Sequence, residues 1–164
     1  IVGTEPAVKP AIFFRPRGKI LVMATTATLQ GTRFQALVQR WQGETTIITC
    51  PCPGLMEFVE RGDTQSPELR EYLTKKINSV KGWKADCVVL GCTHYPFVQN
   101  MIQELMGKKV RIFDGAPGIA RQVERQLEKA HLLNNEGRPG EILWQNSSSD
   151  VRLLALGKKL LLMK

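Results

Sequence analysis

The sequence predicts an α/β fold, a parallel sheet with helices on both faces, and three observations predict it. Short apolar runs such as Lys19-Ile20-Leu21-Val22-Met23 and Cys87-Val88-Val89-Leu90 lack the polar alternation of half-exposed strands, so they read as strands covered on both sides. Stretches with apolar residues three and four apart separate them and read as helices. The two kinds alternate along the chain, which fits parallel strands joined by helical crossovers.

Each element has its own signal. The first strand, ending at Met23, runs into a threonine turn at Ala24-Thr25-Thr26-Ala27-Thr28. Phe34, Leu37, Val38 and Trp41 have helical spacing. Thr45-Thr46-Ile47-Ile48-Thr49 is β-branched throughout and reads as the next strand. A short helix carrying Leu55, Met56 and Val59 follows. Ser66 is placed to cap a longer helix with Pro67 at its first position, Leu69, Leu73, Ile77 and Val80 on one side, and Gly82 at its end. After the Cys87 strand, Pro96, Val98, Met101, Ile102 and Leu105 predict another helix. Val110-Arg111-Ile112-Phe113 reads as a fourth strand, leading to a helix with Ile119, Val123, Leu127 and Ala130 and His131 as a surface cap. Glu136-Gly137-Arg138-Pro139-Gly140 is turn-rich, Glu141-Ile142-Leu143-Trp144 reads as a last strand, and a loop at 146–150 precedes a final helix from Leu153 to Leu162.

Composition narrows the class. A chain of 164 residues can hold one full domain core with residues to spare. No apolar run approaches the ~18 residues of a membrane span, and no signal peptide is visible. Four cysteines without a secretory context argue against a disulfide framework and make the cytoplasm the default compartment. The net charge of +8 raises nucleic acid as a partner, but the basic residues are scattered and interleaved with acids, as at Arg121, Glu124, Arg125, Glu128 and Lys129. That is the pattern of solvated helix faces, so neither nucleic acid nor membrane is expected as a partner.

The chemistry concentrates in Leu90-Gly91-Cys92-Thr93-His94-Tyr95-Pro96. The segment puts Cys92 and His94 on a strand-to-helix turn at the carboxyl end of a strand, where open α/β sheets place their ligands. A helix N-terminus behind the turn is expected to favour a thiolate and attract a carboxylate. A packed core thiol is the plain alternative for any cysteine after a buried strand.

This turn resembles the second catalytic-cysteine motif of glutamate racemases, cofactor-independent enzymes that supply D-glutamate for bacterial peptidoglycan. Val2 to Ala11 is similar to the interdomain stretch of that family, Ala24 to Thr28 to its Ala-Thr-x-x-Thr turn, and Cys52-Pro53 with Val59-Glu60-Arg61-Gly62 to its Cys-Pro and Val-Glu-x-Gly segments. Phe113-Asp114-Gly115 with Ile119-Ala120 resembles its closing strand and helix. The family's first catalytic cysteine, in an Ala-Cys-Asn-Thr-Ala-Ser segment, and its early Asp-Ser-Gly turn are not in this sequence. The motif order therefore implies a portion covering roughly the last three-fifths of such an enzyme.

The resemblance implies a two-domain architecture: residues 1–9 as interdomain connection, 10–107 as a complete inserted α/β domain, and 108–164 as a returning segment that completes a first domain. It implies glutamate as the small-molecule substrate, no cofactor and no metal, and it allows a homodimer. It carries over Cys92 as one of two acid–bases, His94 as its partner in proton transfer, and Glu60 as support for that histidine. Thr93, Thr25 and Thr28 carry over as substrate contacts. Relatives acting on aspartate commonly have Glu where this chain has His94, which favours glutamate.

Three other readings compete. Cys50, Cys52, Cys92 and His94 offer a tetrahedral zinc set, although one intervening residue is short of the usual two to four. A non-catalytic module holding a carboxylate ligand fits a chain with one matching cysteine. An aspartate or hydantoin racemase keeps the paired-cysteine logic with another pocket. Glu60 as a helix-end surface residue, and Thr25 and Thr28 as an ordinary helix cap, are the plain readings of those positions.

Overall fold

The computed structural model describes the chain except residues 81–83, 135, 136, 138, 139, 149 and 164. Four strands form one parallel sheet, β1 (Lys19–Ala24), β2 (Thr46–Pro51), β3 (Cys87–Leu90) and β4 (Arg111–Asp114), in the spatial order β2-β1-β3-β4. Successive residues of a strand point to opposite faces, and β1 buries both sets. Ile20, Val22 and Ala24 pack with Val8 and Ala11 of α1 (Val8–Phe14), Leu29 of α2 (Thr26–Gln30), and Phe34 and Leu37 of α3 (Thr32–Trp41). Leu21 and Met23 pack on the other side with Leu55 and Val59 of α4 (Leu55–Glu60), Leu69 and Leu73 of α5 (Pro67–Ser79), and Met101 and Ile102 of α6 (Gln99–Met106). Helices thus cover both faces of a parallel sheet.

The strand order decides where a ligand can sit. From β1 the chain crosses to β2 on one side, whereas from β3 it crosses to β4 on the other. The reversal leaves a crevice outside the carboxyl ends of β1 and β3, the usual binding position in open α/β sheets.

Several expectations need correction. The strand expected over Thr45–Thr49 runs from Thr46 to Pro51, and the Thr45 N–H turns back to the Gln42 carbonyl at 2.8 Å. The connection expected to end at residue 9 is already helical from Val8, and that helix seals one face of the core. Beyond the 107/108 position, β4 pairs with β3 from Cys87–Arg111 to Leu90–Asp114. Glu141–Trp144 is not a strand: it finds no ladder partner among the described residues, Ile142 and Leu143 stay exposed, and the Trp144 ring lies against Gly157. Gly82 and parts of the 136–140 and 146–150 loops lie outside the described residues.

Beyond β4 the packing thins. Neither α7 (Ala116–Lys129) nor α8 (Val151–Leu162) buries a residue. His131 does cap α7: at φ 55 it takes the left-handed position, its N–H reaching Glu128 O and the next N–H reaching Leu127 O. No helix among the described residues is long and apolar enough to cross a membrane.

Candidate functional site

The site grows from the end of β3. The Gly91 N–H donates to the Met23 carbonyl at 2.8 Å, tying this strand end to the end of β1. Cys92 follows, half-buried, then an exposed Thr93 and a half-buried His94. Tyr95 and Pro96 start a 3₁₀ turn, Tyr95–Val98, and the α-helix begins only at Gln99. The Tyr95 and Phe97 N–H groups point back to the carbonyls of Cys92 and His94, both at 3.2 Å, so these two amides are engaged within the turn.

His94 lies beside the thiol. Its Nδ1 lies 3.8 Å from Cys92 Sγ and 3.5 Å from Thr93 Oγ1. Its Nε2 faces the Glu60 carboxylate, 3.2 Å from Oε1. The imidazole stands between thiol and carboxylate, one nitrogen to each. This arrangement lets the ring accept the thiol proton at Nδ1 while Nε2–H is held by the carboxylate. The acid is more open than the base: the Glu60 side chain is 54% exposed and that of His94 28%.

Glu60 reaches this place because α4 stops there. Gly62, at φ 76, ends the helix with two reversed bonds, Gly62 N–H to Val59 O at 2.8 Å and Asp63 N–H to Phe58 O at 2.9 Å. The Val-Glu-x-Gly spacing is therefore a helix terminus that presents its last carboxylate, and Val59 is the buried anchor beside it.

Thr25 and Thr28 lie on the turn that leaves β1, the strand next to β3. Thr25 Oγ1 accepts from the Thr28 N–H at 3.2 Å as the cap of α2, and the two hydroxyls are 2.9 Å apart. The cap reading holds, and both side chains are half-buried at the carboxyl end of the sheet.

The remaining cysteines are core residues. Cys50, Cys52 and Cys87 are 2%, 1% and 0% exposed, which separates them from Cys92. The Cys52 thiol donates to Cys50 O at 3.3 Å, and the two sulfurs are 3.9 Å apart. The contact shared with Cys52 and the charge of Lys76 hold the Cys50 thiol below its ordinary value, whereas the same contact and burial push Cys52 up. No three His, Cys, Asp or Glu side chains among the described residues are placed to share a metal ion, so the Cys50, Cys52, Cys92 and His94 set is not assembled.

Two tyrosines went unread in the sequence. Tyr95 is fully buried, and its hydroxyl donates to the Cys52 carbonyl at 3.1 Å. Tyr72 donates to the Pro53 carbonyl at 2.7 Å. Both bonds join distant segments, and no local pattern announces them.

Comparison with known proteins places this geometry. The family model for Asp/Glu/Hydantoin racemase matches residues 2–123. A glutamate racemase of Clostridium perfringens is 40% identical over 164 residues, all of this chain and 63% of the relative. The chain thus spans about three-fifths of the length of such curated relatives. Among solved structures, Escherichia coli glutamate racemase in complex with L-glutamate and the activator UDP-MurNAc-Ala superposes with a TM-score of 0.70 at 27% identity, over 77% of this chain and 48% of the other. The Francisella tularensis glutamate racemase in complex with D-glutamate shares the fold, with a TM-score of 0.76 at 18% identity over 88% of this chain and 54% of the other.

Proposed function

Because the chain belongs to the Asp/Glu/hydantoin racemase family, we propose that it carries one of two acid–base faces of a glutamate racemase. The observation that supports this most is the Cys92–His94–Glu60 relay, with contacts of 3.8 and 3.2 Å at the carboxyl end of β3.

The reaction interconverts L- and D-glutamate without a cofactor. A free thiol, with a pKa of about 8.5, is mostly protonated at neutral pH, so a base must stand beside it. His94 Nδ1 takes the Cys92 proton, and Glu60 steadies the resulting imidazolium through Nε2–H. The thiolate then removes the α-proton: the Cα–H bond breaks, the S–H bond forms, and the electron pair is delocalised into the substrate carboxylate. A thiol on the opposite face returns a proton to Cα and completes inversion. Cys50, Cys52 and Cys87 are buried in the core, so that second thiol comes from outside these residues.

Thr93, exposed beside Cys92, and the Thr25 and Thr28 hydroxyls at the neighbouring strand end bind the substrate's polar groups. D-glutamate made this way serves peptidoglycan synthesis. Four unpaired thiols suit a reducing compartment and support the cytoplasm as the enzyme's location.

The test is the intact enzyme with Cys92→Ala, followed by circular dichroism with L- and D-glutamate and by α-proton exchange in D2O. Racemisation should fall at least ~10³-fold with a folded protein, the scale of losing an essential acid–base. A variant keeping most of its activity would remove Cys92 from the chemistry. Loss of activity on chelation would overturn the cofactor-free mechanism.

A further inference from the structure

Glu60 stands at the far end of α4 from the Cys52-Pro53-Gly54 turn that launches the helix. The direction in which α4 leaves that turn therefore sets where the carboxylate lies relative to His94. Within the turn the Leu55 N–H donates to the Cys52 carbonyl at 3.3 Å, and the helix start has no side-chain cap. Gly54 is left-handed at φ 87, and Pro53 has no N–H to donate.

Two tyrosine hydroxyls hold the turn from outside. Tyr95 Oη donates to the Cys52 carbonyl at 3.1 Å, and Tyr72 Oη donates to the Pro53 carbonyl at 2.7 Å. Consecutive carbonyls are pinned from two directions, one by α5 and one by the segment that carries Cys92 and His94. The second link matters most. It runs from the residue after His94 to the start of the helix that ends in Glu60, closing a loop around the acid–base pair. Burial, with the neighbouring thiols adding, pushes both phenols above their ordinary values, so both remain neutral donors wherever the enzyme works.

We propose that Tyr95 and Tyr72 are positioning residues for the acid–base site, their hydroxyls clamping the Cys52 and Pro53 carbonyls so that Glu60 stays within bonding distance of His94. The inference rests on the racemase reading and goes beyond it, because neither tyrosine is asked to touch substrate. Removing the Tyr95 hydroxyl leaves the fold supplied with partners. The Cys52 carbonyl still accepts the Leu55 N–H at 3.3 Å, and the phenyl ring keeps its place in the core.

The experiment uses the intact racemase with Tyr95→Phe, Tyr72→Phe and Glu60→Gln, singly and with each tyrosine change combined with Glu60→Gln. Tyr95→Phe should lower kcat about 5-fold and Tyr72→Phe about 2- to 3-fold, the scale of one net hydrogen bond or less, with KM within about 2-fold. On the Glu60→Gln background each tyrosine change should lower kcat less than about 1.5-fold, since variants acting through one contact do not add. Full activity in both tyrosine variants, or losses that multiply undiminished through Glu60→Gln, would overturn the clamp. Cys92→Ala measured alongside keeps the two ideas apart: retained racemisation there removes the Cys92–His94–Glu60 site from the chemistry, whereas its loss with additive tyrosine effects sinks only the clamp.

Discussion

Gly91 and Ala24 lie so close that a methyl group added to Gly91 would stand 2.9 Å from the Ala24 Cβ. The contact joins the ends of β3 and β1 at the point where the strand order reverses. It also explains the glycine before Cys92: any side chain there would push the two strand ends apart and carry the thiol with it.

Gly91→Ala should therefore destabilise the fold by about 1–3 kcal/mol, the usual cost of overpacking. The Met23 carbonyl and Pro6 Cγ, each 3.4 Å from the added methyl, leave little room for relaxation. Urea unfolding midpoints for the two proteins check this. Unchanged stability would show that the strand ends yield more easily than their packing implies.

Thiol labelling separates burial from acidity. The Cys50 thiol is held below its ordinary value, which by itself would make it reactive, but it is 2% exposed. Access outweighs acidity here, because the reagent must reach the sulfur. Iodoacetamide under native conditions should add first to the half-buried Cys92, while Cys50, Cys52 and Cys87 react only on unfolding. Peptide mapping of the first adduct decides it, and early modification of Cys50 would reverse the ranking.

Alkaline pH should weaken the fold. Burial first, then the charge of Asp86, pushes the Cys87 thiol up to about 11. A thiol raised on folding contributes stability that is fully present below its unfolded value, about 8.5, and is lost as pH rises through the folded value. Unfolding midpoints should fall between about pH 8.5 and 11, and the fall should be shallower in Cys87→Ala. An identical slope in that variant would assign the loss to other groups.

Ser66→Ala tests a cap with two functions. The Ser66 hydroxyl accepts from the Leu69 N–H at 3.0 Å and donates to Asp63 Oδ2 at 2.7 Å, while its N–H donates to Asp63 Oδ1 at 3.0 Å. The substitution should cost about 1 kcal/mol at neutral pH. Burial pulls the Asp63 carboxyl up, but the Ser66 bonds, with the Gln65 N–H and the charge of Arg61, together carry it below its ordinary value. A depressed carboxyl stabilises above its unfolded value and loses that contribution as pH falls through the folded one. The gap between parent and variant should thus narrow in acid, below about pH 3.9, and a constant gap would mean that the cap alone matters.

Much of the fold was legible because its signals are local. Ser66 and Pro67 mark a helix start and Cys87 to Leu90 a doubly buried strand, each within a few residues of what it controls. The segment Cys92-Thr93-His94 was legible for the same reason. Where the signal was ambiguous, partners decided. Glu141–Trp144 has the composition of a strand but no ladder to join, and Pro96 introduces a 3₁₀ turn before the α-helix.

By itself the sequence determined the alternation of strands and helices, the two apolar faces of β1 and the short-range chemistry of the Cys92 turn. These depend on spacings of two to four residues, which the backbone converts directly into direction. Only the tertiary structure decided that β4 joins β3, that Glu60 meets His94, and that Tyr95 and Tyr72 grip the start of α4. Those contacts join segments far apart along the chain. They exist because burying both faces of the sheet brings the segments together, and no residue's neighbours in sequence encode that proximity.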